Sequence, residues 1–241
     1  MRPLIVANWK MHKNRAQAIE WVCQLTHLHK QQPTAARMVL CPPFALLEIL
    51  RPFCDETIAL GGQDCHPEEE GAYTGDTSAM LLADLDCRFV VLGHSERRAA
   101  HHENNEQVAR KAQQAQKQGL CPIICIGETR KQRDSGHALD ALKQQAQEST
   151  HGISGNYVMA YEPIWAIGSG TTPQPQDIDD VAQAVNAHLN HQPATFLYGG
   201  SVTDKNARDF VASGIYRGLL VGGQSLDAQR FYAIAQACCN P

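Results

Sequence analysis

Eight short apolar runs, separated by stretches of helical pattern, constrain this chain more than any other feature. They occupy 4–7, 38–40, 58–60, 89–92, 123–126, 157–161, 195–198 and 219–221. Most are near-continuous rather than alternating, as expected of strands buried on both faces of a parallel sheet. Between them the period lengthens. Ile19, Val22, Cys23 and Thr26 share one helical face behind Asn14, a residue suited to an N-cap. The stretch 104–118 is rich in Ala and Gln and stops at Gly119, a residue suited to a C-cap. Leu139, Leu142 and Ala146 repeat the spacing, and Pro175 suits the first turn of a helix striped by Val181, Ala184, Val185 and Leu189. Strands alternating with helices predict an α/β fold, and eight such units close as a (β/α)8 TIM barrel of about 250 residues. The expectation is one barrel domain over residues 1–241, with the polar stretch 64–76 as a protruding loop.

Periodicity alone does not separate a closed parallel barrel from an open doubly wound sheet. The polar residues favour the barrel. Asn8 and Lys10, Gln63, His94 and Glu96, Glu128, Glu162, Ser201 and the Gly222-Gly223 pair each follow the C-terminal end of an apolar run. Barrel enzymes build their sites on that face.

The formal charge of −4 argues against a nucleic-acid or membrane-surface role. The apolar run near the N-terminus is too short for a signal-peptide core, and no run is long enough to span a bilayer, so a soluble cytoplasmic protein is expected. The nine cysteines form no paired Cys-x-x-Cys arrangement and read as reduced thiols. Cys121 and Cys125 lie in one strand-like run and should be buried, whereas Cys238 and Cys239 should be more exposed. No His/Asp/Glu cluster has metal-ligand spacing, so neither a metal nor another cofactor is expected.

Four elements could carry chemistry. Glu162 ends an apolar run and is followed by Pro163-Ile164-Trp165 and a small-residue segment, Gly168-Ser169-Gly170. A strand-end glutamate is most often a solvated surface residue. One beneath a closing loop is desolvated, which would raise its pKa toward that of a useful general base. His94, between Gly93 and Ser95-Glu96-Arg97-Arg98, reads either as a packed capping histidine or as an imidazole kept neutral by helix amides, able to donate to a substrate carbonyl. Lys10 is either a surface cation or a group stabilising an anionic intermediate, with Glu96 its natural partner. Tyr198-Gly199-Gly200-Ser201 and Val221-Gly222-Gly223-Gln224 sit where the loops after the seventh and eighth barrel strands bind phosphate.

These elements together resemble the triosephosphate isomerase family over essentially the whole chain. The matching motifs are Ala7-Asn8-Trp9-Lys10-Met11, Gly71-Ala72-Tyr73-Thr74-Gly75, 93–98, Cys125-Ile126-Gly127-Glu128-Thr129, 161–170, 198–202 and 220–226. The resemblance implies a catalytic set of Asn8, Lys10, His94 and Glu162, with Glu96 orienting Lys10. It implies that Gly168, Ser201, Gly222 and Gly223 hold phosphate, together with Asn8 and Lys10 on the substrate. It further implies a homodimer whose loop tip, Tyr73, Thr74 and Gly75, reaches the partner's Lys10 and His94. The implied activity is interconversion of dihydroxyacetone phosphate and D-glyceraldehyde 3-phosphate, in glycolysis and gluconeogenesis.

Some positions depart from the family pattern: Asp64 for Asn, Asp76 for Glu, His101-His102 for an aromatic-Gly pair, Ser169 for Thr and Gln224 for Ala. Arg217 stands where Asp is usual and Asn186 where Arg is usual, which deletes an ion pair and should alter packing between the last two helical segments. Two rival readings remain at this point: another sugar-phosphate barrel enzyme, and a barrel serving as an interaction scaffold.

Overall fold

The computed structural model describes residues 2–166, 172–189 and 194–239. Eight strands pair in parallel in chain order: β1 (Leu4–Asn8), β2 (Arg37–Cys41), β3 (Ile58–Gly62), β4 (Cys87–Leu92), β5 (Cys121–Ile126), β6 (Val158–Tyr161), β7 (Thr195–Tyr198) and β8 (Tyr216–Val221). β8 returns to β1 in the register Leu4 with Gly218 through Ala7 with Val221, closing the barrel expected from sequence. β4 and β8 begin before their apolar runs, because an exposed arginine at the second position of each, Arg88 and Arg217, interrupts the apolar pattern.

Ten helices surround the strands among the described residues: α1 (Arg15–Gln31), α2 (Leu47–Leu50), α3 (Ala79–Asp84), α4 (Ser95–Ala100), α5 (Asn105–Lys117), α6 (Arg130–Asp134), α7 (Ala138–Ser149), α8 (Pro175–His188), α9 (Ala207–Val211) and α10 (Ala228–Ala237). Alternation along each strand sorts side chains into two layers. Val6, Val39, Phe89, Val91, Ile123, Leu197 and Leu220 form the cluster that fills the barrel. Ile5, Ala7, Met38 and Leu40 join the larger cluster between strands and helices. Each fully buried aliphatic side chain contributes about 1.5–3 kcal/mol.

Local signals hold where they depend on capping. Asn14 and Asn104 each close a capping box with a glutamine three residues on, Gln17 and Gln107. Gly119 ends α5 at φ +75°, where a side chain would be strained. Helix faces are less well placed by sequence. α1 buries Ala18, Trp21, Val22 and Leu25 and leaves Cys23 exposed. α8 buries Ile178, Ala182 and Val185, with Val181 and Leu189 only packed against that core. In both, the buried stripe is set by how the helix meets the barrel. All nine cysteines are free thiols. Cys125 is buried as expected, but Cys121 is only partly so. Cys238 and Cys239 are partly buried rather than exposed, and the Thr34 hydroxyl donates to Cys239 Sγ at 3.3 Å.

The 64–76 loop is held at its base by a bridge between His66 and Ser78, and Tyr73 packs on the His66 ring at 4.0 Å. Asn186 clamps the chain before β7, accepting from Ala194 N at 2.8 Å and donating to its carbonyl at 3.4 Å. Arg217 makes no ion pair among the described residues. Among the described residues, no helix is long and apolar enough to cross a membrane.

Candidate active site

The C-terminal strand ends bring Asn8, Lys10, His94 and Glu162 around one cavity of about 310 Å3, together with Gly199, Gly200, Ser201, Gly222, Gly223 and Gln224. Asn8 ends β1, is almost wholly buried, and accepts the Lys10 amide at 3.0 Å. Lys10 follows in a left-handed conformation, φ +52°, that turns its side chain over the barrel mouth. Gln63 fixes this bend by donating to the carbonyls of Lys10 at 2.8 Å and Cys41 at 2.9 Å. The ammonium of Lys10 reaches Glu96 Oε1 at 2.5 Å, the contact expected of an orienting partner.

His94 follows β4 at the start of α4. Its Nδ1 accepts the Glu96 amide at 3.2 Å, which leaves Nε2 as the proton-bearing nitrogen of the neutral ring. Nε2 lies 3.0 Å from Glu162 Oε1, and Glu162 Oε2 accepts the Ser95 amide at 3.0 Å. Glu162 is 2% exposed.

Burial pushes the Glu162 carboxyl up, but the His94 charge and hydrogen bond, the Ser95 amide and Lys10 outweigh it and hold the pKa below the ordinary value of 4.5. Burial pulls His94 down, and Glu162 and then Glu96 more than restore it, so its pKa is raised from 6.5. Both directions are opposite to those expected from burial and helix amides alone. The cause is the direct contact between the two residues. The arrangement has a chemical consequence. A substrate carbonyl taking His94 Nε2 would part the pair, and burial would then be opposed only by the Ser95 amide and Lys10, making Glu162 a stronger base.

This predicts a pH effect. The stabilisation from Glu162 is present above its ordinary 4.5 and is lost as pH falls through the lower folded value. His94→Asn removes the leading causes that lower it, so the Glu162 carboxyl of that variant titrates higher than in the wild type. Carbon-13 NMR of the labelled carboxylate reads the midpoint directly. An unmoved midpoint would remove the His94 contact as its cause.

The wall of the cavity formed by the two glycine pairs is built from backbone. The Gly223 position has nothing within 4 Å of where a Cβ would stand, and that of Gly222 faces the Lys10 side chain at 3.6 Å. Ser225, fully buried, donates to the Gly222 carbonyl at 2.7 Å and shapes the turn. Ser201 donates to the Ala166 carbonyl at 3.0 Å. Gly168, with Ser169, Gly170 and the lid hinge expected there, lies outside the described residues. Tyr73, Thr74 and Gly75 do not join this cluster and are exposed on the 64–76 loop.

Two residues given no role by sequence position the site. Glu128, fully buried, accepts from Trp165 Nε1 at 2.7 Å and Tyr161 OH at 3.1 Å, with Arg133 Nη1 at 3.4 Å. It thereby ties the segments on both sides of Glu162 to the end of β5. Arg98 donates to the carbonyls of Gly93 at 2.7 Å and Cys125 at 3.1 Å, holding the His94 turn to β5. The sequence signals for them were membership of the 93–98 and 125–129 motifs and, for Glu128, its place just past a strand end.

Gly127 seats Glu162. An alanine Cβ there would stand 2.0 Å from the Glu162 carbonyl oxygen, an overlap with backbone that no rotamer relieves. Gly127→Ala should therefore destabilise by about 1–3 kcal/mol in urea unfolding and lower kcat. A wild-type midpoint and turnover would show that the close approach is not required.

A family model described as triosephosphate isomerase matches residues 3–238. Similar chains include triosephosphate isomerases of Gluconacetobacter diazotrophicus, 44% identical over 248 residues with 100% of both chains covered, and of Bradyrhizobium diazoefficiens, 41% identical over 250 residues with 99% of this chain and 98% of that one. A crystal structure of triosephosphate isomerase from Bartonella henselae superposes with a TM-score of 0.86 at 31% identity, covering 98% of this chain and 99% of that one.

Proposed function

This chain belongs to the triosephosphate isomerase family, and on that premise we propose how its own residues divide the work. The reaction interconverts dihydroxyacetone phosphate and D-glyceraldehyde 3-phosphate, a step of glycolysis and gluconeogenesis. Glu162 removes a proton from the carbon bearing the hydroxyl beside the carbonyl, and the electron pair of that C–H bond forms the enediolate double bond. His94 Nε2 donates to the oxygen that gains charge. Lys10, steadied by Glu96, and Asn8 stabilise the same anion. His94 Nε2 gives its proton to that oxygen and takes one from the neighbouring hydroxyl, and Glu162 returns the carbon-derived proton to the neighbouring carbon, so the old carbonyl becomes a hydroxyl and the old hydroxyl a carbonyl. Ser201, Gly222, Gly223 and Gly168 hold the phosphate, with Lys10 adding positive charge.

One observation carries this reading. Glu162 and His94 face each other at 3.0 Å inside a cavity whose other wall is glycine-bearing backbone. A base and an electrophile lie on one side, and backbone open to an anion lies opposite. Turnover of D-glyceraldehyde 3-phosphate, coupled to NADH oxidation, tests it. A folded protein without turnover would move the weight to the scaffold reading.

The chain works as a cytoplasmic homodimer in this proposal. Met11, beside the site, is 93% exposed and Tyr73 45% exposed, which suits surfaces covered by a second copy. Thr74→Arg places a charge at the loop tip and should weaken dimerisation and activity together. Sedimentation velocity beside the coupled assay checks both. A fully active monomer would contradict support from the partner subunit.

A further inference from the structure

A depression far larger than the catalytic cavity lies at the other end of the barrel. It encloses about 1420 Å3 at the N-terminal mouth, against about 310 Å3 for the catalytic cavity. A five-residue strand at about 3.3 Å per residue puts roughly 17 Å of chain between the two.

Its charge runs against that of the molecule. The chain carries −4 overall, yet the mouth gathers Arg2, Arg37, Arg51, Arg88 and Arg217 against three carboxylates, Asp55, Glu56 and Asp86. Two of those three are committed. Asp86 pairs with Arg51 at 3.0 Å. Asp55 Oδ1 accepts the Thr57 and Ile58 amides at 2.7 and 2.9 Å. Arg2, Arg37, Arg88 and Arg217 form no ion pair among the described residues.

These four come from the starts of different strands. Arg2 precedes β1, Arg37 opens β2, and Arg88 and Arg217 hold second positions in β4 and β8. β8, β1 and β2 are adjacent in the barrel, so its hydrogen bonding fixes the spacing of their arginines. The guanidinium of Arg37 rests 4.8 Å over the Phe89 ring, which holds it in place without neutralising it. The lining includes the apolar side chains of Leu4, Leu60, Phe89 and Val158. Such walls concentrate the field of surrounding charges.

We propose that this mouth binds a small molecule carrying two or more phosphate groups. Guanidinium groups meet phosphate oxygens through paired N–H donors. One phosphate cannot span arginines drawn from four strands, whereas a linked series of phosphates can. The isomerisation uses none of these residues, so the site is additional to the proposed activity.

Calorimetric titration with inorganic tripolyphosphate at low ionic strength tests this, on the wild type and on Arg88→Gln/Arg217→Gln. The double variant should bind at least tenfold more weakly, with kcat/KM for triose phosphate and the thermal midpoint unchanged. Binding at the catalytic glycine loops would appear as competitive inhibition, equal in both proteins. Should the double variant fail to fold, amide shifts at Phe89 and Gly218 in the wild type on adding tripolyphosphate locate the ligand at this mouth instead. No binding by the wild type, equal affinity in the two folded proteins, or shifts confined to 199–202 and 222–225 would overturn the proposal. Tighter binding of a poly-glutamate peptide than of tripolyphosphate would overturn it in favour of an acidic polypeptide.

Discussion

Glu162→Gln should lower kcat by at least ~10² while leaving fold and phosphate affinity in place, the loss expected when a proton-transfer group is removed. The substitution isolates chemistry from structure. Glutamine has the same length and keeps an oxygen that can accept the Ser95 amide, now at 3.0 Å from Glu162 Oε2. Its other terminal atom is an amide nitrogen, which donates and so cannot accept from His94 Nε2, and that one contact is lost. Glutamine cannot accept a proton from carbon. KM should change little, since the proposed phosphate site is backbone across the cavity. A purely structural Glu162 predicts the reverse, a lower thermal midpoint with turnover intact, because a buried partner of His94 would lose its charge. Wild-type turnover of Glu162→Gln in the coupled assay would remove Glu162 from the mechanism. His94→Asn, in which the carboxylate remains, then separates loss of the electrophile from loss of the base.

The barrel and the identities around its catalytic mouth were legible because both are written locally. A strand buried on both faces must be apolar along its length, so β1 and β7 stand out in the sequence. A polar residue just past such a run is set at a strand end whatever the rest of the chain does, and this marked Asn8, His94 and Glu162. What depends on two distant segments meeting was not legible. The depressed pKa of Glu162 comes from His94, 68 residues earlier in the chain, and burial alone predicts the opposite direction. Glu128 reads as one more strand-end carboxylate until Tyr161 and Trp165 are seen to donate to it. The arginine mouth is invisible for the same reason, since Arg2, Arg37, Arg88 and Arg217 converge only when the barrel closes. Helix faces fall between these cases. The apolar period of α8 is plain in the sequence, but its buried line, Ile178-Ala182-Val185, is set by how the helix docks on the barrel.

Lys111→Met should destabilise the protein by about 3–5 kcal/mol, the cost of removing one partner from a buried charge pair and leaving the other. Lys111 Nζ meets Asp64 at 2.8 and 2.9 Å and also bonds Glu103 Oε1. Arg97 reaches the same two carboxylates, Asp64 at 2.8 Å and Glu103 at 3.0 Å. The side chains of Lys111 and Glu103 are 8% and 4% exposed, so water cannot replace the lost contacts. The two carboxylates are not equivalent. Burial pushes Glu103 up, but Lys111 and Arg97 outweigh it and its pKa is lowered, so its stabilisation is present above 4.5 and lost as pH falls through the folded value. Asp64 stays raised, because its burial and the nearby Glu103 exceed what Lys111 and Arg97 return. A raised carboxylate pKa means that ionised Asp64 costs stability at neutral pH. Asp64→Asn should therefore be neutral to within about 1 kcal/mol, or stabilising. Urea unfolding of both variants at pH 7 separates the two cases. A loss in Asp64→Asn equal to that in Lys111→Met would show that the four charges act as one indivisible unit, and the proposed asymmetry between Asp64 and Glu103 would fall.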